Sequence, residues 1–265
     1  MKMSIQTGLA ALALTFMAAE AAAVQGVITM PNGSKREGDI KWVVRDKVYS
    51  IVEKGRPIEM QLKPEEIADL QIPRPRELDA AIESIRQGNA AAAVSSLEKI
   101  AADYLMLQWD KPATRYLAEA HVQAGNADKA IAVCEKVIAA NPEAAYLGEM
   151  APAYWQALIK RERLSKVEDL ISKAIKTGDR LASANALIAR GDLVQASGDT
   201  ADIAKKALRD GYLRVITLYK SERAAQPEAL FKAAKCFEKL GQTQRADQLR
   251  TTLKGEFGSS EWAKK

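Results

Sequence analysis

The part of the chain after residue 75 repeats itself at intervals of about 34 residues, and this repetition constrains the fold more than any other feature. Within each copy, apolar residues recur every three or four positions, which is the period of an amphipathic helix. A glycine between two such stretches, as at Gly125, allows one helix to end and the chain to turn. The sequence therefore predicts a mostly α fold, an α-solenoid of about five helix pairs at residues 76–106, 111–142, 144–177, 181–220 and 227–257.

The clearest copy, residues 111–142, has small residues where two helices would approach each other most closely. Its pattern resembles the tetratricopeptide repeat, which has small residues in both helices, a glycine at the turn and a proline at the exit. The resemblance implies an antiparallel helix pair with Ala118 and Ala130 at the close contact. The matching positions are Leu117, Ala118, Gly125, Ala130, Cys134 and Pro142.

Other copies match the repeat to different degrees. Residues 144–177 match least, because they have helical periodicity but no turn glycine. The helix after Gly198 matches only after a shift in register. The corresponding structural positions in the later copies are Gly191, Gly198, Ala234, Gly241 and Ala246.

Residues 24–72 have a different pattern, in which apolar and polar residues alternate with the period of a β-strand. Short alternating runs are separated by turn signals such as Pro31-Asn32-Gly33. The order of these runs, which ends in the turn and strand of "PEEIADLQI", resembles an SH3-like barrel. We therefore expect a small β-barrel at 24–72, a proline linker at 73–75 that keeps a helix from starting before about Arg76, repeats at 76–257 and a C-terminal tail at 258–265.

The first 23 residues resemble a secretory signal peptide. Lys2 precedes an apolar run from about Leu9 to Ala19, and an alanine-rich stretch suited to cleavage follows. The run is shorter than the roughly 20 residues that span a bilayer, which disfavours the alternative of an uncleaved anchor. No cysteine precedes Cys134, so a lipidation site is not expected. We expect a periplasmic or secreted protein without stable membrane insertion after cleavage.

Composition and charge disfavour nucleic acid as a partner. The net charge is +5, and basic residues are interspersed with acidic ones, as on a solvated helix face. A hydrophobic content of 48% with 6% aromatic residues favours helices over a large β structure.

The sequence offers no convincing catalytic, cofactor or metal site. His121 is the only histidine, and with Cys134 it supplies two ligands where zinc usually takes at least three. Adjacent carboxylates such as Glu168 and Asp169 would diverge on a helix and cannot act on one bond. We interpret His121 and both cysteines, Cys134 and Cys236, as buried packing residues, with a disulfide as the alternative for the cysteines.

A stack of helix pairs has a concave surface formed mainly by the first helix of each pair, and such surfaces bind peptides or partner helices. Our first hypothesis is a non-catalytic scaffold that joins proteins of the cell envelope through this surface. The alternative is a cell-wall or carbohydrate-binding protein in which Trp42 and Tyr49 of the barrel stack on sugars, although interior packing is the favoured interpretation of both rings. The oligomeric state stays open. The residues expected on the concave surface are Arg115, Glu119, Gln156, Asp192, Phe231 and Lys235.

Overall fold

The computed structural model of the chain describes residues 22–265, so the predicted signal peptide lies outside the described residues except for its last two positions. The N-terminal part is one antiparallel sheet with strand order β4-β3-β2-β1-β5. A turn of 3-10 helix at Pro64–Glu66 leads into the last strand, which returns to pair with the first. The strands are β1 (Val24–Thr29), β2 (Lys35–Val43), β3 (Val48–Glu53), β4 (Glu59–Leu62) and β5 (Asp69–Gln71).

The predicted barrel is thus a five-stranded sheet, and its ladder does not join β4 to β5 in the described part of the chain. Ile28, Ile40 and Ile51 lie on one face of this sheet and are fully buried. Alternation along each strand directs these side chains to the same side, which gives the sheet its core.

Five helix pairs follow the sheet, as predicted. The fourth pair is formed by α7 and by a long second segment in which a π-helical turn at Leu208–Tyr212 joins α8 to α9. The helices are α1 (Arg76–Arg86), α2 (Ala90–Asp103), α3 (Asp110–Gln123), α4 (Ala127–Ala140), α5 (Ala151–Lys160), α6 (Leu164–Lys176), α7 (Arg180–Ala196), α8 (Ala201–Ala207), α9 (Leu213–Leu218), α10 (Gln226–Lys239) and α11 (Thr243–Phe257). In the described part of the chain, no helix is both long enough and apolar enough to cross a bilayer.

The pairs stack in sequence order. Each second helix packs on the first helix of the next pair, as α2 does on α3 and α4 on α5. First helices also contact one another, α1 with α3, α3 with α5 and α5 with α7. These first helices therefore form a common inner face of the solenoid, which we call the inner face below.

The turns inside four of the five pairs share one geometry, and the fourth pair differs. In the third pair, Glu162 has a φ of +53°, and the amide of Arg163 donates to the Leu158 carbonyl over 3.0 Å. This is the hydrogen bond of a Schellman motif, which ends a helix through one left-handed residue. The missing glycine of residues 144–177 therefore does not remove the turn, because Glu162 adopts the left-handed conformation. Glycine occupies the equivalent position in three other pairs, with φ values of +81°, +79° and +69° at Gly88, Gly125 and Gly241.

The sheet and the repeats share a core through the loop between α2 and α3. Leu107 in this loop is fully buried and belongs to the hydrophobic cluster of the sheet. The indole N–H of Trp109 donates to the Ile72 carbonyl over 2.9 Å. Pro75 is buried and directly precedes α1, so residues 73–75 do not form a free spacer between two separate bodies.

Candidate partner-binding face

The structure places all six predicted partner-binding residues on first helices. Arg115 and Glu119 lie on α3, Gln156 on α5 and Asp192 on α7. Phe231 and Lys235 lie on α10, where the Lys235 ammonium is 4.6 Å from the centroid of the Phe231 ring.

A compact charge network connects α7 to α10 on the inner face. The Lys232 ammonium lies 2.6 Å from the Asp192 carboxylate and 2.5 Å from the Glu228 carboxylate. The Tyr212 hydroxyl donates to the other Asp192 oxygen over 2.8 Å. The charged side chains are only 17% to 20% exposed, so water screens them weakly. Burial alone would lower the pKa of Lys232, but Glu228 and Asp192 raise that pKa by more, and the ammonium stays charged.

Sequence reasoning found Asp192 but missed Lys232 and Glu228. The two missed residues are separated by four positions on α10, a spacing at which opposite charges meet on a helix surface. That spacing was a usable signal, although it cannot reveal that Asp192 of another helix joins the pair.

Glu119 of the second pair faces acidic groups from the C-terminal part of the chain. Burial raises the pKa of its carboxyl group, and the carboxylates of Glu261 and Glu228 raise it further. Arg115 and Lys265 act in the opposite direction. The inner face thus brings residues far apart in sequence, on α3 and α10, into one electrostatic environment.

Residues 258–265, predicted as a tail, lie against this environment. They contain a 3-10 turn at Glu261–Lys264 that contacts α10 and α11. The ring of Trp262 is 5.3 Å from that of Phe231, and the ammonium groups of Lys232 and Lys265 lie 5.6 Å and 3.8 Å from the Trp262 centroid. Sequence reasoning missed this contact, and the lone tryptophan in a polar segment was the only signal for it.

The structural repeat positions occupy the helix contacts. Ala118, Ala130 and Ala246 are fully buried, and Leu117 and Ala234 are nearly so. These small side chains allow the helices to lie close together. Pro142 starts a short 3-10 turn directly after α4 ends.

The glycines of the fourth pair have a packing role. A Cβ atom on Gly211 would lie 2.7 Å from the Leu187 carbonyl oxygen and 2.7 Å from the Gly191 amide nitrogen. Gly191 in turn is covered by the ring of Tyr212. Gly198 has a φ of +149° in the turn before α8. The π-helical turn and this close crossing explain why the second helix of the pair matches the repeat only after a shift in register.

His121 and the cysteines are packing residues, as predicted. His121 is 2% exposed and Cys134 is fully buried. Burial lowers the pKa of His121 and raises that of the Cys134 thiol to about 12, so neither group is charged at neutral pH. Cys236 lies in a different core cluster, and both cysteines are free. Within residues 22–265, no three histidine, cysteine or carboxylate side chains are grouped to hold a metal ion.

The two aromatic residues of the sheet pack against each other. Trp42 and Tyr49 face each other across β2 and β3, with centroids 4.8 Å apart and a T-shaped arrangement. Tyr49 is 9% exposed, and its hydroxyl donates to the Met106 carbonyl over 3.2 Å. The packing interpretation of Tyr49 is therefore confirmed, and Trp42 is half-buried beside it.

Two sequence profiles of the tetratricopeptide repeat match the chain, one over residues 84–151 and the other over residues 228–254. The chain contains tetratricopeptide repeats. The matched segments include most of the first two helix pairs and most of the fifth, and the predicted resemblance is confirmed there. Such repeats generally mediate protein–protein interactions.

One solved structure similar to the chain is a crystal structure of nearly identical TPR-like repeats from Podospora anserina, assigned to a kinesin light chain. It is 18% identical, the match covers 69% of this chain and 95% of that one, and the TM-score is 0.35. No curated protein matches the sequence significantly.

Proposed function

We propose that this protein is a non-catalytic adaptor of the cell envelope that binds partner proteins through the inner face of its tetratricopeptide repeats. The observation that carries the proposal is the grouping of half-buried charges and an aromatic side chain on that face. Glu119, Asp192 and Phe231 come from three different first helices and are neither fully solvated nor fully buried.

This grouping suits recognition of a protein segment. An aromatic side chain such as Phe231 provides apolar contact area, and partly desolvated charges beside it give directional contacts that select the partner. The charged groups are held in place, because Asp192 is bonded by both Lys232 and Tyr212. A fixed arrangement loses little conformational freedom when a partner binds.

Export is the second element of the proposal. It is supported by the Lys2, apolar and alanine-rich order at the N-terminus. The first strand begins at Val24, directly after the predicted cleavage position. Mass spectrometry of the protein purified from its native cells should find Val24 as the N-terminal residue. A chain retaining Met1 in the cytoplasmic fraction would contradict export.

A site-specific crosslinking experiment tests the binding face. The photoreactive residue p-benzoylphenylalanine is placed at Gln156, a half-buried position of α5 predicted to lie on the inner face, and as a matched control at Lys136, which is exposed on the second helix α4. Irradiation in living cells should give one discrete protein adduct from position 156 and none from position 136. Equal adducts from both positions, or none from position 156, would refute binding through the inner face.

A further inference from the structure

We propose that residues 258–265 are an internal ligand that occupies the inner face in competition with partners, and that this face accepts a protein segment in which an aromatic residue is followed by a lysine. This inference rests on the proposed function, since it specifies what the same surface binds. We call residues 258–265 the C-terminal segment.

The aromatic contact is the first part of the argument. Trp262 packs on Phe231 at a centroid distance of 5.3 Å, on the helix that contributes two of the predicted partner-binding residues. Lys232 and Lys235 of the same helix approach the two rings, Lys232 at 5.6 Å from Trp262 and Lys235 at 4.6 Å from Phe231. Cations over aromatic rings add electrostatic attraction to the apolar contact. The face therefore already holds an aromatic side chain in a site with a specific geometry.

Charge complementarity is the second part. Without the C-terminal segment, the carboxylates of Glu119, Asp192 and Glu228 meet the cations Lys232 and Arg115, and Arg115 is shared with Glu149 over 3.1 Å. These carboxylates then outnumber the cations. Lys265 adds a cation to this group: its ammonium lies 3.8 Å from the Trp262 centroid and 3.8 Å from the Glu261 carboxylate, and it opposes the rise in the pKa of Glu119. A lysine three positions after the aromatic residue, as Lys265 is after Trp262, thus fits the acidic part of the face.

The C-terminal segment complements the inner face only partly, so a partner can displace it. The carboxylate of Glu261 raises the pKa of Glu119, so the two acids repel each other when both are ionised. Residues 260–263 are only half-buried, and residues 264–265 are exposed. The segment is covalently linked to the inner face through α11, so its effective concentration at that face is about millimolar. Even a weak contact is therefore populated. A partner without an acid at the position of Glu261 would bind the same face more tightly.

The test uses full-length mature protein and a fluorescein-labelled peptide with the sequence GSSEWAKK, which is the C-terminal segment itself. Fluorescence anisotropy compares wild type, Trp262→Ala and the double variant Trp262→Ala with Phe231→Ala. We expect Trp262→Ala to bind the peptide at least about tenfold more tightly than wild type, because the competing internal aromatic residue is gone. The double variant should lose that binding. A peptide in which glutamate is replaced by glutamine should bind Trp262→Ala more tightly than the original.

Equal affinity of wild type and Trp262→Ala for the peptide, or no detectable binding to either, would overturn the inference. Thermal unfolding of both proteins guards against loss of the fold: a large fall in the melting temperature of Trp262→Ala without peptide binding would make the segment a structural cap and also overturn it.

The two proposals fail separately. If Gln156 crosslinks a partner equally well in wild type and Trp262→Ala, the adaptor function stands and competition by the C-terminal segment is refuted. If the peptide binds as expected but no partner is crosslinked, the internal contact stands and the adaptor function is refuted.

Discussion

Lys232 of α10 lies 2.6 Å from Asp192 of α7, and this contact joins the first helices of the fourth and fifth repeats. Lys232 also contacts Glu228 over 2.5 Å, so two mostly buried carboxylates share a single ammonium. Removing the cation would leave both acids without a counter-charge in a poorly solvated site.

The substitution Lys232→Met should therefore destabilise the protein by about 3 kcal/mol, the usual scale for breaking a buried ion pair on one side. Urea denaturation followed by circular dichroism measures the change. Lys235→Met is the matched control, because Lys235 is exposed on the same helix and loses only its contact with the Phe231 ring; its effect should stay within about 1 kcal/mol. Equal effects of the two substitutions would mean that the network does not stabilise the stack.

The left-handed residue of the third turn gives a second prediction. Glu162 has a φ of +53°, a conformation that costs a non-glycine residue about 1 to 2 kcal/mol. Glycine avoids this cost but is more flexible in the unfolded chain, by about 0.5 to 1 kcal/mol. Glu162→Gly should therefore stabilise the protein by about 0.5 kcal/mol. Gly125→Ala, at a φ of +79° in the second pair, should destabilise it by about 1 kcal/mol, and thermal and chemical unfolding of both variants checks the opposite signs.

The pKa of Glu119 gives a prediction about pH. Burial and then Glu261 raise this pKa, so the folded protein binds a proton more readily than the unfolded chain does. The ionised carboxylate therefore weakens the fold fully above the raised pKa, and the penalty disappears as pH falls below the ordinary glutamate range. Glu119→Gln should be more stable than wild type at neutral pH, and the difference in unfolding free energy should shrink on acidification. A difference independent of pH would contradict this electrostatic account.

A substitution in the packed core of the repeats should change stability more than a substitution on the binding face. Ala130 is fully buried between helices, so Ala130→Leu should destabilise the protein by about 1 to 3 kcal/mol. Arg115→Ala removes a surface ion pair with Glu149 and a cation–π contact with Tyr116, so stability should change by less than about 1 kcal/mol. Denaturant unfolding measures stability for both variants. If Ala130→Leu unfolds like wild type, the close helix contact at this position is wrong.

Periodicity was sufficient to predict the helix pairs, since amphipathic stretches and small residues such as Ala118 report local packing directly. It was not sufficient for contacts that depend on how successive pairs rotate. The electrostatic effect of Glu261 on Glu119 and the ion pair between Asp192 and Lys232 depend on how the successive pairs are arranged and on side-chain rotamers. The role of Glu162 was not predicted, because the repeat pattern has glycine at this turn. The turn requires only the left-handed conformation, which another residue can adopt.

The contact of the C-terminal segment with α10 was not predicted for a different reason. Eight residues with one tryptophan have no period from which a docking surface can be inferred, and their position depends on Phe231 being available beyond the end of α11.

Leu107 has a consequence for how this protein can be divided. Its side chain comes from the connection between the first two repeats but fills the interior of the sheet. Cleaving the chain at Pro73 or Pro75 would expose the apolar side chain of Leu107 on the repeat fragment and would leave a cavity in the core of the sheet fragment. The smallest fragment expected to fold alone is consequently the sheet together with the first repeat and the start of the second. These parts should unfold in one cooperative transition.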